Sequence, residues 1–209
     1  MTGKFITFEG IDGSGKTTQL RMLASDLRAR GVEIISTHEP GGTPLGRRLR
    51  EAFLETEETV APRAELLLFA ADRAQHVEFL IKPALSEGRT VISDRYADAT
   101  FAYQGAGRGF EEETVNEVIA LATGGLKPDL TLFFDISVER ALGRMNSHSG
   151  SERIQNRMDL ETAEFYTRVR GAYLGIAARE PERFKIVDAN GSVDEIHRTV
   201  AEIVNGFLS

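Results

Sequence analysis

Phe5-Ile6-Thr7-Phe8-Glu9 is a short apolar, β-prone run. Directly after it, Gly10-Ile11-Asp12-Gly13-Ser14-Gly15-Lys16-Thr17 satisfies the pattern G-x-x-x-x-G-K-[ST] without deviation. Leu20, Leu23, Ala24 and Leu27 then recur at helical spacing until Gly31, a helix stop. Strand, glycine-rich turn and helix in that order are the context in which this pattern builds a phosphate cradle. The glycines let backbone N–H groups turn inward around phosphate oxygens, and the helix that follows offers its positive end. Lys16 is spaced to reach the β- and γ-phosphates of a nucleoside triphosphate, the Thr17 hydroxyl suits Mg²⁺, and Thr18 extends the first helical turn. Residues 10–18 are therefore the expected nucleotide-binding loop.

Outward from the loop, strand-like and helical runs alternate. Residues 32–36 read as a second strand, 44–54 as a helix after the turn-rich Glu39-Pro40-Gly41-Gly42-Thr43, and about 62–85 as a long helical stretch with a break before Pro83. A third strand, Thr90-Val91-Ile92-Ser93, ends at Asp94. Glycine-rich residues 105–109 read as a loop, followed by a helix near 111–123, a strand at 130–134 and a helix near 138–145. Small polar residues 147–151 have the composition of a mobile loop before a charged helix from about 158 to 179, a fifth strand at 184–187 and a closing helix at 193–207. Strands alternating with helices predict an α/β fold: a five-stranded parallel sheet with helices on both faces, of the P-loop NTPase type, with ligands at the carboxyl ends of the strands. Residues 1–209 read as one domain, with a lid at about 144–158.

The chain carries 25 Lys and Arg against 32 Asp and Glu, a net charge of −7. That balance excludes a protein that coats nucleic-acid backbones, since such binding neutralises phosphates with many cations. With no cysteine, disulfides, thiolate metal sites and thiol nucleophiles are excluded. No stretch approaches the roughly 20 apolar residues of a membrane span, and the start of the chain does not read as a signal peptide. The expectation is a cytoplasmic protein without a membrane or nucleic-acid partner.

A phosphate loop alone leaves a small-molecule kinase, a nucleotide-dependent switch and an assembly ATPase open. The guanine-reading Asn-Lys-x-Asp element of a switch is missing; Lys127-Pro128-Asp129 lacks the Asn and the spacing. Asp94-Arg95-Tyr96 ends the third strand, which puts a carboxylate and a guanidinium where the phosphate loop also opens.

Taken together, Phe8 to Thr18, Glu39-Pro40-Gly41-Gly42-Thr43, Ala71-Asp72-Arg73-Ala74-Gln75-His76, Asp94-Arg95-Tyr96, Ala102-Tyr103-Gln104-Gly105 and Asn156-Arg157-Met158-Asp159 closely resemble the thymidylate kinase family. The resemblance runs in order from the N-terminus through Tyr173. It implies transfer of the γ-phosphoryl group of ATP to thymidine monophosphate (dTMP) with Mg²⁺, in a homodimer of the nucleoside-monophosphate-kinase fold. Another monophosphate or deoxynucleoside kinase on the same scaffold is the nearest alternative.

On the acceptor side the resemblance makes Phe69 a stacking face for thymine, although helical periodicity alone reads it as a core residue. Arg73, four residues on, looks like the arginine that contacts the pyrimidine. Gln104, able to donate and accept, suits the edge of the base, and Tyr103 packs beside the sugar. Asp12 resembles the acidic residue that accepts from the sugar 3′-hydroxyl. Arg50 and Arg95 look like the arginines that hold the acceptor phosphate, Arg47 and Arg48 read as a solvated face, and Pro40 fixes the turn over the acceptor. His38 stands where the family usually has an arginine, so a phosphate contact from there is in doubt.

For the chemistry, Lys16, Asp94 and Arg95 are the candidates at the sheet edge, with Glu9 and Asp94 holding water on a Mg²⁺ that Thr17 ligates. The phosphate loop contains no arginine, and in the family that moves the catalytic arginine to the lid, where Arg153 and Arg157 are the candidates beside Arg144. Asp135, at the end of the fourth strand, reads as a cap on the next helix. Residues 188–191 are a positional candidate for the adenine site.

Overall fold

The computed structural model describes residues 3–147 and 157–208. Its centre is a five-stranded sheet in the order β2-β3-β1-β4-β5, with β1 at Phe5–Glu9, β2 at Ile34–His38, β3 at Thr90–Asp94, β4 at Leu130–Asp135 and β5 at Phe184–Asp188. Every neighbouring pair is parallel, and Phe8 and His38 both lie opposite Asp94. β1 is buried along its whole length, which is why its sequence runs apolar without alternation. β2 and β5 are edge strands and alternate more.

Around the sheet lie α1 (Lys16–Ala29), α2 (Pro44–Leu54), α3 (Pro62–His76), α4 (Lys82–Ser86), α5 (Ala97–Thr100), α6 (Glu112–Thr123), α7 (Val138–Ser147), α8 (Ala163–Arg179) and α9 (Val193–Leu208). The larger apolar core joins β1, β3, β4 and β5 to α1, α8 and α9, with Phe8, Leu23, Phe133, Tyr173 and Val200 among its fully buried members. A smaller one, centred on Phe5, Val77, Ile81 and Tyr96, closes the other face.

Several expected boundaries move for local physical reasons. β2 begins at Ile34 instead of Val32, because Val32 N–H is spent closing the end of α1 on Leu27 O, 3.0 Å away. The stretch from Pro62 does not break before Pro83. It widens into a π-helical segment, Val77–Ile81, where Lys82 N–H reaches back to Val77 O, and the helix continues through the proline. Residues 105–109 are not a loop throughout: Phe101–Gly107 is a second π-helical segment continuing α5. Its glycine composition reflects close packing, since a Cβ on Gly107 would lie 2.6 Å from the Phe165 ring of α8. The charged helix expected from residue 158 starts at Ala163. Thr162 Oγ1 accepts from Phe165 N at 3.2 Å as its cap, and Arg157–Leu160 forms a separate 3₁₀ turn. Most of residues 147–151 lies outside the described residues.

Candidate active site

Parallel strands bring the carboxyl ends of β1, β2, β3 and β4 to one edge, and a cavity of about 1060 Å³ opens there. The loop from Gly10 to Gly15 forms its floor on one side. Gly13 has φ 79° and Gly15 φ 91°, and a Cβ on Gly13 would lie 2.5 Å from Ala141 O, so α7 packs directly on the loop backbone. Lys16 folds back over the loop, its Nζ donating to Ile11 O at 3.0 Å and Ser14 Oγ at 3.4 Å. Burial of the ammonium, with the Arg95 cation beside it, pushes its pKa down to about 8. The negative charge of a bound polyphosphate would oppose that shift.

The Thr17 hydroxyl donates to Asp94 Oδ2 at 2.6 Å. This hydroxyl and carboxylate are a donor set that Mg²⁺ accepts, because that ion keeps several waters and takes the rest of its shell from phosphates. Among the described residues no group of three or more His, Cys, Asp or Glu is arranged to hold a metal ion by itself. Glu9 does not join this set. Its oxygens accept from Tyr96 N at 2.8 Å and Tyr173 Oη at 2.7 Å beneath the cavity, and burial, reinforced by Asp98, pushes its pKa up to about 8. The expectation that Glu9 holds metal-bound water is corrected accordingly: both oxygens are turned to the tyrosines.

Next to Lys16, Arg95 Nη2 lies 3.0 Å from Asp12 Oδ1 and 3.0 Å from Tyr103 Oη. Arg95 reaches this position through a backbone in the left-handed region, φ 73°, where no other non-glycine among the described residues sits. Its N–H donates to Phe8 O at 2.9 Å, so the unusual turn is held from β1. Arg50 also lines the cavity and donates to Pro40 O at 3.3 Å. His38, between them, has its pKa lowered by burial and by Arg50.

The wall opposite carries the residues expected to meet a base. Phe69 lines the cavity and also packs edge-on against Phe53, ring centroids 4.8 Å apart, so one side chain belongs both to the cavity wall and to the apolar packing behind it. Arg73 is buried and fully engaged: Nε to Glu39 Oε2 at 2.8 Å, Nη1 to Thr100 Oγ1 at 2.7 Å, Nη2 to Tyr96 O at 2.9 Å. Gln104 is buried beside it, its Nε2 donating to Glu65 Oε1 at 3.1 Å.

Of the expected site residues, the structure brings Asp12, Gly13, Ser14, Gly15, Lys16, Thr17, Thr18, Pro40, Arg50, Phe69, Arg73, Asp94, Arg95, Tyr103 and Gln104 to one cavity. Gly10 and Ile11 sit underneath as buried supports of the loop. Arg153 lies outside the described residues. Arg157 is described, but it turns away from the phosphate loop, its Nη2 bonded to Glu65 Oε2 and its Nε donating to Phe53 O at 3.3 Å. A desolvated carboxylate is the strongest acceptor within its reach. Arg144, expected only to flank the lid, reaches the loop backbone, at Gly13 O over 3.4 Å, and Ala189 O over 3.2 Å. Gly191, Ser192 and Val193 line the cavity beside it, one to three residues past most of the stretch expected near adenine. Asp135 does not cap α7; it pairs with Arg170 through two bonds of 2.6 and 2.9 Å, and the Ser137 hydroxyl takes the cap, its Oγ accepting from Arg140 N at 3.4 Å.

Glu39, Asp72 and His76 went unassigned in the sequence and form a buried network under the Pro40 turn. His76 bridges Glu39 Oε1 at 2.8 Å and Thr37 Oγ1 at 2.7 Å. Asp72 Oδ1 accepts from Gly41 N at 3.0 Å, while its other oxygen is buried without a hydrogen bond. Burial and the Glu39 charge push the Asp72 pKa up to about 6.

A family profile described as thymidylate kinase matches residues 8–200. Thymidylate kinase of Neisseria gonorrhoeae (strain NCCP11945) is 45% identical over 208 residues, covering 100% of this chain and 99% of the relative. Its counterpart in Geotalea daltonii is 46% identical over 212 residues, 99% of each chain. The crystal structure of thymidylate kinase from Ehrlichia chaffeensis superposes with a TM-score of 0.80 at 32% identity, over 98% of this chain and 100% of that one. Fold, cavity and sequence agree, and the chain belongs to the thymidylate kinase family.

Proposed function

We propose that this chain phosphorylates dTMP to dTDP, with ATP as donor and Mg²⁺ as the metal. The observation that carries this reading is that two charged groups share one cavity: the phosphate loop with Lys16, and next to it the Arg95–Asp12–Tyr103 cluster. The first suits a donor triphosphate and the second an acceptor nucleotide. Family membership supports the acceptor's identity.

In this reading an acceptor phosphate oxygen forms a bond to the γ-phosphorus, and the bond from that phosphorus to the oxygen bridging the β-phosphate breaks. The electron pair leaves with ADP. The attacking oxygen is already anionic, so no general base is required and positioning with charge neutralisation does the catalysis. Lys16 leaves its internal acceptors for the transferring group, Arg95 and Arg50 hold the acceptor phosphate, and Asp12 accepts from the sugar 3′-hydroxyl beside Tyr103. Thr17 and Asp94 hold Mg²⁺, which supplies charge neutralisation on the donor phosphates. Phe69, Arg73 and Gln104 take the base under the Pro40 turn. Arg144 at the loop and Arg153 of the lid provide the remaining positive charge, while Arg157 stays on Glu65.

A homodimer is part of the proposal. Leu67, Phe79 and Leu121 are exposed by 56%, 72% and 85%, on α3, the π-helical segment after it and α6, and apolar surface of that kind is covered in obligate pairs. No helix among the described residues is long and apolar enough to cross a membrane, and a chain without cysteine suits a reducing compartment such as the cytoplasm.

The test is a panel of nucleoside monophosphates with ATP and Mg²⁺. Stoichiometric ADP release is expected with dTMP and little with AMP, CMP or GMP. Triphosphate turnover indifferent to every monophosphate but stimulated by a macromolecule would replace this reading with an assembly ATPase.

A further inference from the structure

Behind the base wall lies Glu65 of α3, with 0% of its surface exposed. Four donor atoms converge on it: Gln104 Nε2 at 3.1 Å, Arg108 Nε at 3.0 Å and Nη2 at 3.2 Å, and Arg157 Nη2. Burial alone would raise its pKa, but the bonds from Arg108, Arg157 and Gln104 outweigh that and hold it below the ordinary glutamate value. The side chain is thus a carboxylate, able only to accept. An amide that faces such a group has to present its NH₂ and not its carbonyl, so the orientation of Gln104 is dictated by chemistry. Its Oε1 is left for the cavity that Gln104 lines, and no described group donates to that oxygen.

We propose that Glu65 is the positioning residue that sets base specificity: by holding the Gln104 amide in one orientation, it presents a carbonyl acceptor to the ring N–H of thymine or uracil. The same carbonyl meets the unprotonated ring nitrogen of cytosine lone pair to lone pair. The inference rests on the proposed seat of the base beside Gln104. Arg108, itself bonded to Glu161 at 2.6 Å, and Arg157 keep Glu65 charged and fixed. They do so from the π-helical segment's end and from the lid's end.

The experiment compares dissociation constants for dTMP and dCMP by calorimetry in the parent, Glu65→Gln, Glu65→Asp, Gln104→Ala and the Glu65→Gln/Gln104→Ala double variant. Glu65→Gln, whose amide can face Gln104 either way, is expected to reduce the preference for dTMP by about tenfold or more. Glu65→Asp, still acceptor-only, should recover most of it, and adding Glu65→Gln to Gln104→Ala should change the preference no further. Equal weakening of both ligands by Glu65→Gln, with Gln104→Ala still losing preference, overturns the role of Glu65 alone. A parent-like preference in Gln104→Ala overturns the base placement and this proposal together. Should Glu65→Gln not fold, the Gln104 side-chain amide in ¹⁵N-labelled parent protein decides. Slow solvent exchange of its NH₂ protons supports the proposal, and exchange at the rate of a surface glutamine overturns it.

Discussion

Thr17 Oγ1 donates to Asp94 Oδ2 over 2.6 Å, tying the first turn of α1 to the carboxyl end of β3 through the two groups proposed to hold Mg²⁺. Asp94→Asn keeps the size of the side chain and removes its charge. The Mg²⁺ concentration for half-maximal activity should rise at least about tenfold, with stability changed by less than about 1 kcal/mol because the bond is at an exposed position. An unchanged Mg²⁺ titration would falsify the metal assignment.

Arg73 looks from the sequence like a contact to the base, which predicts that Arg73→Ala mainly weakens acceptor binding. In the structure its removal strips Glu39 of a buried cation and frees Thr100 Oγ1 and Tyr96 O. The expected cost is about 3–5 kcal/mol of stability, read by urea denaturation, in addition to a raised KM for the acceptor. Arg73→Lys should recover only part, since an ammonium cannot reproduce the guanidinium fork.

Asp72 gives a pH signature. Its folded pKa, raised by burial to about 6 from an ordinary 3.8, means that the folded protein holds a proton the unfolded chain has released between those values. The stabilisation from that proton is complete below about pH 4 and is lost as pH rises through about 6. Asp72→Asn has nothing to titrate there. Its stability relative to the parent should therefore climb by about 1–3 kcal/mol from pH 4 to pH 7 and then level off. A constant difference across that range would show that Asp72 is not titrating against Glu39, Arg73 and His76 as the structure has it.

Gly13 and Gly15 separate two kinds of cost in one loop. Both have positive φ, but a Cβ on Gly13 also meets Ala141 O at 2.5 Å, while one on Gly15 meets nothing within 4 Å. Gly15→Ala should lose about 1–2 kcal/mol of stability from backbone strain. Gly13→Ala should lose clearly more, since α7 must shift. Thermal melts of the two variants side by side check the order.

Arg144 joins the phosphate loop at Gly13 O to the turn after β5 at Ala189 O. Arg144→Ala should raise KM for ATP and lower kcat by about tenfold, with KM for dTMP little changed. Steady-state kinetics with each substrate varied in turn distinguish this from a general loss of fold.

Much of this was legible in the sequence where the cause is local. The apolar run Phe5–Glu9, the Pro-initiated helix Pro44–Leu54 and the phosphate loop fall where periodicity, proline and glycine put them. Failures came where the deciding partner is distant in sequence. Asp135 finds Arg170 instead of capping α7, and Arg157 finds Glu65, 92 residues away, so neither direction is written in its neighbours. Glycines at 105 and 107 read as flexibility, yet the tight approach of Phe165 explains Gly107, and a helix–helix contact leaves no mark in a single window of sequence. Glu39 and Glu65 were left without a role for the same reason: each is buried because arginines from other elements meet it.

The left-handed backbone of Arg95 has an evolutionary reading. A residue with a Cβ in that conformation costs about 1–2 kcal/mol that glycine would not. The molecule keeps that cost because only there does the guanidinium meet both Asp12 and Tyr103. A library selected for heat resistance alone would accordingly drift toward Gly at position 95 and yield robust but inactive proteins, whereas selection for turnover would hold arginine in place against that pull.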